Sequence, residues 1–126
     1  MSQLHKVVPQ MQFKNYSRPD EVRKFDKGQV ELITVNGVTF GRLTLQPGWK
    51  WSTSVKPLAK TDSCQASHLA YQVSGRLHLK MDDGSEHEFG PGDVSFVPEG
   101  HDAWVVGNEP VVMIDITGMK NYAKQR

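Results

Sequence analysis

The sequence predicts an all-β fold, a single antiparallel β-barrel or jelly roll, and three observations predict it. Asn36-Gly37 divides two runs rich in β-branched residues, and that dipeptide supplies the two positive φ angles of a tight type I′ hairpin. Arg76 to Met81 alternates Leu77, Leu79 and Met81 with Arg76, His78 and Lys80, the period-two pattern of a strand with one buried face. Short apolar runs recur between Gly- and Pro-bearing turns, and no strong amphipathic helix competes with them.

Taken in order, residues 1–20 are polar with scattered apolar side chains and no clean period. Residues 1–28 are read as an arm packing on the barrel, and 29–118 as the barrel domain. Asp20 to Phe25 reads as one turn of helix or an irregular strand. Gln29 to Val35 and Val38 to Leu45 are the hairpin strands, and Pro47-Gly48 ends the second. Trp49 and Trp51 then share one face of an extended piece, with 52–61 as loop. Ser63 to Val73 reads as a strand closed by Ser74-Gly75. Asp82-Asp83-Gly84 turns the alternating strand back into Ser85 to Phe89. Gly90-Pro91-Gly92-Asp93 is another tight turn, Val94 to Val97 a strand, and Pro98-Glu99-Gly100 a further turn. Trp104 to Val106 and Val111 to Ile116 finish the sheet, divided by Gly107-Asn108.

At 126 residues the chain fits one domain. A domain of that size buries about two-thirds of its unfolded surface, so folding requires no disulfide or structural metal. Fifteen basic against fourteen acidic side chains leave a net charge of +1. No run of Lys or Arg forms a stripe that tracks phosphates, so nucleic acid is not an expected partner. No apolar run is long enough to span a bilayer, so no membrane is expected either. The opening Met1 to Lys6 lacks the apolar core of a signal peptide, and a lone cysteine, Cys64, suits a reducing compartment; the expected location is the cytoplasm. The sequence holds no Gly-x-Ser-x-Gly elbow, phosphate loop or Cys-x-x-Cys pair.

Gly92-Asp93-Val94-Ser95-Phe96-Val97-Pro98-Glu99-Gly100 resembles the second motif of the cupin superfamily, a glycine, five residues, then Pro-x-Gly. Val73-Ser74-Gly75-Arg76-Leu77 is similar to the close of the first motif, and the resemblance covers about residues 40–116. It implies a jelly-roll barrel of six to eight strands whose interior often holds a divalent metal. The usual ligands are not present in type. Counting back from Gly75, the family's Glu position is His68, and with three of the family's three or four intervening residues its His-x-His positions fall at Asp62 and Cys64. Counting on from Gly100, the last His position is Ala103, two residues beyond His101. Gly100 to Trp104 is similar to a subgroup of uncharacterised bacterial cupin-domain proteins.

Asp62, Cys64, Ala66 and His68 have equal parity, so a regular strand places all four on one face. Cys64 and His68 are competent ligands for zinc, iron or copper, and His101 completes a three-residue candidate site. Each has a plainer alternative. Cys64 reads as a small buried hydrophobe, the commoner fate of a lone cysteine. His68 reads as an interior histidine bonded to Tyr71, Gln72 or water, and His101 as a residue of the barrel mouth. Asp62, Gln72 and Trp104 are expected to line the pocket. Along a regular strand Cys64 and His68 lie about 13 Å apart, too far to share an ion unless the chain bends. With His68 inward, Leu69, Tyr71 and Val73 point outward, and that apolar face needs cover, so a homodimer is expected.

The function favoured on these grounds is binding of an unidentified small molecule, with a weakly held divalent metal (Zn, Fe, Mn, Ni or Cu) as candidate cofactor. The alternative is a metal-dependent enzyme, an oxygenase, isomerase or lyase working through Cys64, His68 and His101. A structural role through dimerisation is the third. The missing ligand set and the shortage of loops weigh against catalysis.

Overall fold

In the computed structural model, which describes residues 9–117, 119 and 122–124, nine strands form two antiparallel sheets. They are β1 (Glu21–Phe25), β2 (Gly28–Val35), β3 (Val38–Leu45), β4 (His68–Ser74), β5 (Arg76–Met81), β6 (Glu86–Phe89), β7 (Val94–Val97), β8 (His101–Val106) and β9 (Val111–Asp115). Six of them run in the order β1-β2-β3-β9-β4-β7 and three in the order β6-β5-β8. The antiparallel cupin-type barrel expected from the sequence is present, with β1 as an additional edge strand.

The Asn36-Gly37 turn is realised with φ 48° and 78°, values that suit Asn and cost Gly nothing. It sets β2 against β3 in unbroken register from Gly28 opposite Leu45 to Val35 opposite Val38. Parity then decides what is buried. Leu43 and Leu45 of β3, Val111 and Met113 of β9, and Ala70 of β4 face Leu77 and Leu79 of β5 and Ala103 and Val105 of β8. The core lies between the two sheets.

Three local expectations are decided or change. Of the helical turn and the irregular strand open for Asp20 to Phe25, the strand is present, as a regular one, β1, paired over five residues with β2. The first eight residues of the expected arm lie outside the described residues. Trp49 and Trp51 do not share an extended piece, because two helical turns, α1 (Trp51–Ser54) and α2 (Lys56–Ala59), occupy the expected loop. Both indoles are nonetheless buried, since a one-turn helix brings Trp51 and Val55 back over the end of the core. Lys60 then takes a left-handed conformation, φ 59°, and ends α2. The third concerns the expected strand from Ser63. Regular pairing begins only at His68, and Cys64 makes an isolated bridge to His101 instead.

Candidate metal centre

Cys64 is brought to His101 by backbone. Its N–H donates to the His101 carbonyl at 2.8 Å, and its carbonyl accepts from the Gly100 N–H at 2.7 Å. Gly100 is required at that corner. Its φ is +87°, and a Cβ there would meet the Asp82 carboxylate at 2.8 Å. His101 opens β8 on the inward parity shared with Ala103 and Val105. His68 opens β4 on the inward parity of Ala70 and Gln72. Because residues 65–67 are not in strand, the path from Cys64 to His68 bends. The Cys64 Sγ lies 3.7 Å from His68 Nε2, not at the separation of a straight strand.

The three residues each offer one donor atom, and these atoms lie within 4.8 Å of one another. Around a tetrahedral ion with ordinary Zn–S and Zn–N bonds, such atoms stand about 3.3–3.6 Å apart. The Cys64–His68 separation, 3.7 Å, lies just above this range. The other ends of the rings are committed. His68 Nδ1 pairs with Asp115 Oδ2 at 2.5 Å, and His101 Nδ1 donates to the Pro98 carbonyl at 2.8 Å. A carboxylate or carbonyl on one ring nitrogen fixes the tautomer that leaves the other nitrogen free to bind metal. The imidazoles meet edge-on, with centroids 5.1 Å apart.

Proton positions follow from this packing. Burial pushes the Cys64 thiol up, but hydrogen bonds with His101 and His68 outweigh it and bring the group down from 9.0 to about 6. Burial pushes His68 down, but its bonds to Asp115 and Cys64 outweigh that and raise it from 6.5 to about 9. Without metal, the site at neutral pH is therefore a thiolate beside an imidazolium, with Asp115 behind it. Tyr122 is held well above the ordinary phenol value by burial and by the negative charges of Cys64 and Asp115, so it remains a hydroxyl donor.

His68 and His101 reach the wall of an internal chamber, with Asp115 and Tyr122 at the same end and Trp49 and Phe89 among its apolar lining. About 40 Å³ of it is open to the centre of a water molecule, enough for a few waters. Among the described residues the buried Trp49 Nε1–H meets no hydrogen-bond partner, an uncommon state for an indole.

Other expected pocket residues lie elsewhere. The Asp62 side chain is fully solvent-exposed, 4.0 Å from Lys56, because the chain reaches the core only at Ser63 and Cys64. Gln72 is buried inward, but its Nε2 donates to the carbonyls of Gly75 and Phe89 and so ties turns together. Trp104 has the outward parity of β8, stacking on His78 with centroids 4.7 Å apart, and the Lys50 Nζ lies 5.1 Å from the centre of the Trp104 ring. Asp115 went unnoticed in the sequence, although the alternation Val111, Met113, Asp115 puts a carboxylate on the inner face. Tyr122 carried no sequence signal.

No protein-family model matches the chain, and no curated protein matches its sequence. Solved structures match its fold. A protein of unknown function from Rhizobium leguminosarum bv. viciae superposes with a TM-score of 0.62 at 17% identity, over 86% of this chain and 97% of that one. KdgF from Halomonas sp. superposes with a TM-score of 0.59 at 14% identity, over 86% of this chain and 95% of that one. Oxalate decarboxylase from Lactobacillus farciminis does so at 0.56 and 19% identity, over 81% of this chain but 32% of that enzyme. The chain thus spans about a third of the decarboxylase's length. At these identities the likeness concerns fold alone. Two antiparallel sheets closed around a His-bearing interior, with these structural neighbours, give the chain the cupin fold.

Proposed function

We propose that the barrel holds a single transition-metal ion on Cys64, His68 and His101, and that this ion binds a small molecule admitted to the chamber. The observation that carries the reading is the convergence of three donor atoms within 4.8 Å, with both imidazoles oriented from behind by Asp115 and Pro98. One thiolate with two imidazoles suits zinc, iron, cobalt or copper better than manganese, magnesium or calcium. Three protein ligands leave a fourth position, the feature that separates reactive sites from closed structural ones. The metal would supply Lewis acidity at that position. The chain would supply the rest: an apolar wall, the Tyr122 hydroxyl, and the Trp49 N–H, without a partner among the described residues, as a donor to an acceptor atom of the ligand. A chamber this small suits a compact ligand of a few heavy atoms, with a metal-binding atom at one end.

The test is a cobalt(II) titration of the metal-free protein. One equivalent is expected to bind with a thiolate charge-transfer band. Cys64→Ser should abolish the band, His68→Ala and His101→Ala should each weaken binding severely, and Asp115→Asn should weaken it about 10- to 100-fold. Binding that is unchanged in all four variants would refute the site.

A second reading rests on the same contacts. Sγ against Nε2, with Nδ1 held by a carboxylate, is also the arrangement of an activated thiol nucleophile. Iodoacetamide separates the two: metal protects Cys64 from alkylation if the thiolate is a ligand.

A further inference from the structure

A three-stranded sheet cannot cover a six-stranded one, and toward the β1 end of the larger sheet part of the cover comes from residues that follow β9. Gly41 has the inward parity of Leu43 and Leu45 on β3 but no side chain, and Met119 fills that place. A Cβ on Gly41 would lie 2.5 Å from the Met119 Cγ, and Met119 is almost fully buried. Three residues on, the Tyr122 ring meets two others edge-on. Its centroid is 6.2 Å from that of Phe25 on β1 and 5.7 Å from that of His68.

Arg23 holds this arrangement in place. It shares the inward parity of Phe25 on β1, opposite the fully buried Val30. Its Nη1 donates to the Tyr122 carbonyl at 2.7 Å and to the Met119 carbonyl at 3.2 Å. Its Nε and Nη2 donate to the Glu21 carboxylate at 2.7 and 3.1 Å. A guanidinium gripped by a carboxylate on one edge has a fixed plane, so Glu21 sets the angle at which Arg23 meets the two carbonyls. Met119 and Tyr122 belong to no strand, and Arg23 does for them what a ladder does for β2 and β3.

Tyr122 borders the chamber together with His68 and Asp115. With the phenol ring against it, the His68 side chain is 13% exposed, and Cys64, in contact with His68, is 3% exposed. We propose that Tyr122, clasped by Arg23 from β1, is a specificity-determining residue that seals the metal end of the chamber; the inference rests on reading Cys64, His68 and His101 as a metal centre. The ring limits what those residues meet to a ligand of about three heavy atoms, the size of the few waters the chamber holds. An aromatic wall suits this role, because a rigid ring wedged edge-on between two others cannot fold aside as a methionine could. The edge strand β1 then has a purpose beyond widening the sheet, since it carries both Arg23 and Phe25.

Two readouts test this, the first without metal. Cys64 is the one cysteine of the chain, so the rate of iodoacetamide alkylation of the metal-free protein reports on the metal end alone. Tyr122→Ala should raise that rate about tenfold or more, as removal of a packed ring opens a path to the thiol. Tyr122→Phe keeps the ring and should leave the rate unchanged. Arg23→Ala keeps the ring but loses the clasp and should raise the rate by a smaller factor. Val30→Ala truncates the core without touching the chamber wall and should leave it unchanged, which separates the seal from lost stability. In the cobalt-loaded protein, azide should shift the visible spectrum of the wild type, whereas imidazole should do so only in Tyr122→Ala. A folded Tyr122→Ala alkylated at the wild-type rate would overturn the proposal, as would a Val30→Ala alkylated as fast as Tyr122→Ala. Imidazole binding equally to wild type and Tyr122→Ala would overturn it too. If Tyr122→Ala fails to fold, Arg23→Ala decides, and alkylation at the wild-type rate would count against the seal. Failure of cobalt to bind would refute the metal centre, and the alkylation rates would still decide whether Tyr122 seals this end.

Discussion

Cys64 and His68 titrate against each other, and the sign of each shift matters. His68 is raised, so its contribution to stability is full below its unfolded value near 6.5 and is lost as pH rises through about 9. Cys64 is lowered, so its contribution is present above its unfolded value of 9.0 and is lost as pH falls through about 6. Across that window the fold binds one proton more at the imidazole and one fewer at the thiol, and the two slopes oppose each other. The metal-free protein should therefore show thiolate ultraviolet absorbance with a midpoint near pH 6, while its melting temperature changes little between about pH 6.5 and 9. Cys64→Ser should remove the cancellation, so that stability declines as pH rises through that range. A thiolate midpoint near 9 would contradict the geometry. Of this cluster, Cys64, His68 and His101 were legible as residue types with ligand chemistry. Asp115 was legible only through parity along its strand. Trp104 was misplaced because two residues of ambiguous polarity, His78 and Trp104, hide the outward face of β8 by stacking on one another.

At the scale of elements, the turns carried most of the information. Asn36-Gly37 and the alternation of β5 specify local geometry through φ and side-chain period, and both are realised. The segment from Trp49 to Ser67 was not legible, because one-turn helices have no period to detect and are held by the core they cover. That segment decides the site. A continued strand would have kept Cys64 about 13 Å from His68. The bend, clamped by the two bonds joining Cys64 to Gly100 and His101, brings the donors together. Gly100→Ala is accordingly expected to destabilise the fold by about 1–3 kcal/mol, since it adds a Cβ at positive φ against the Asp82 carboxylate. It should also weaken cobalt binding by displacing Cys64. Thermal denaturation and the cobalt titration check both parts; loss of stability with unchanged metal affinity would mean that the clamp does not position the thiolate.

For the whole molecule, the fold class followed from short strands and turn chemistry, but the sheet order could not. The neighbours β3, β9 and β4 are far apart in sequence, and nothing local in β9 records which strands it joins. The outward set Leu69, Tyr71 and Val73 was visible by parity, whereas its extension across Val94, Phe96 and Ile116 required the register. The two sheets thus serve different ends. Their inner faces converge on the chamber that His68 and His101 line, and the outer face of the larger sheet is the one left bare. The measurement that bears most directly on the account is X-ray absorption at the metal edge of the zinc-loaded protein. One sulfur at about 2.3 Å with two imidazole nitrogens at about 2.0–2.1 Å is the expected shell, the sulfur vanishing in Cys64→Ser. A shell of nitrogen and oxygen alone in the wild-type protein would contradict a metal centre on Cys64, His68 and His101.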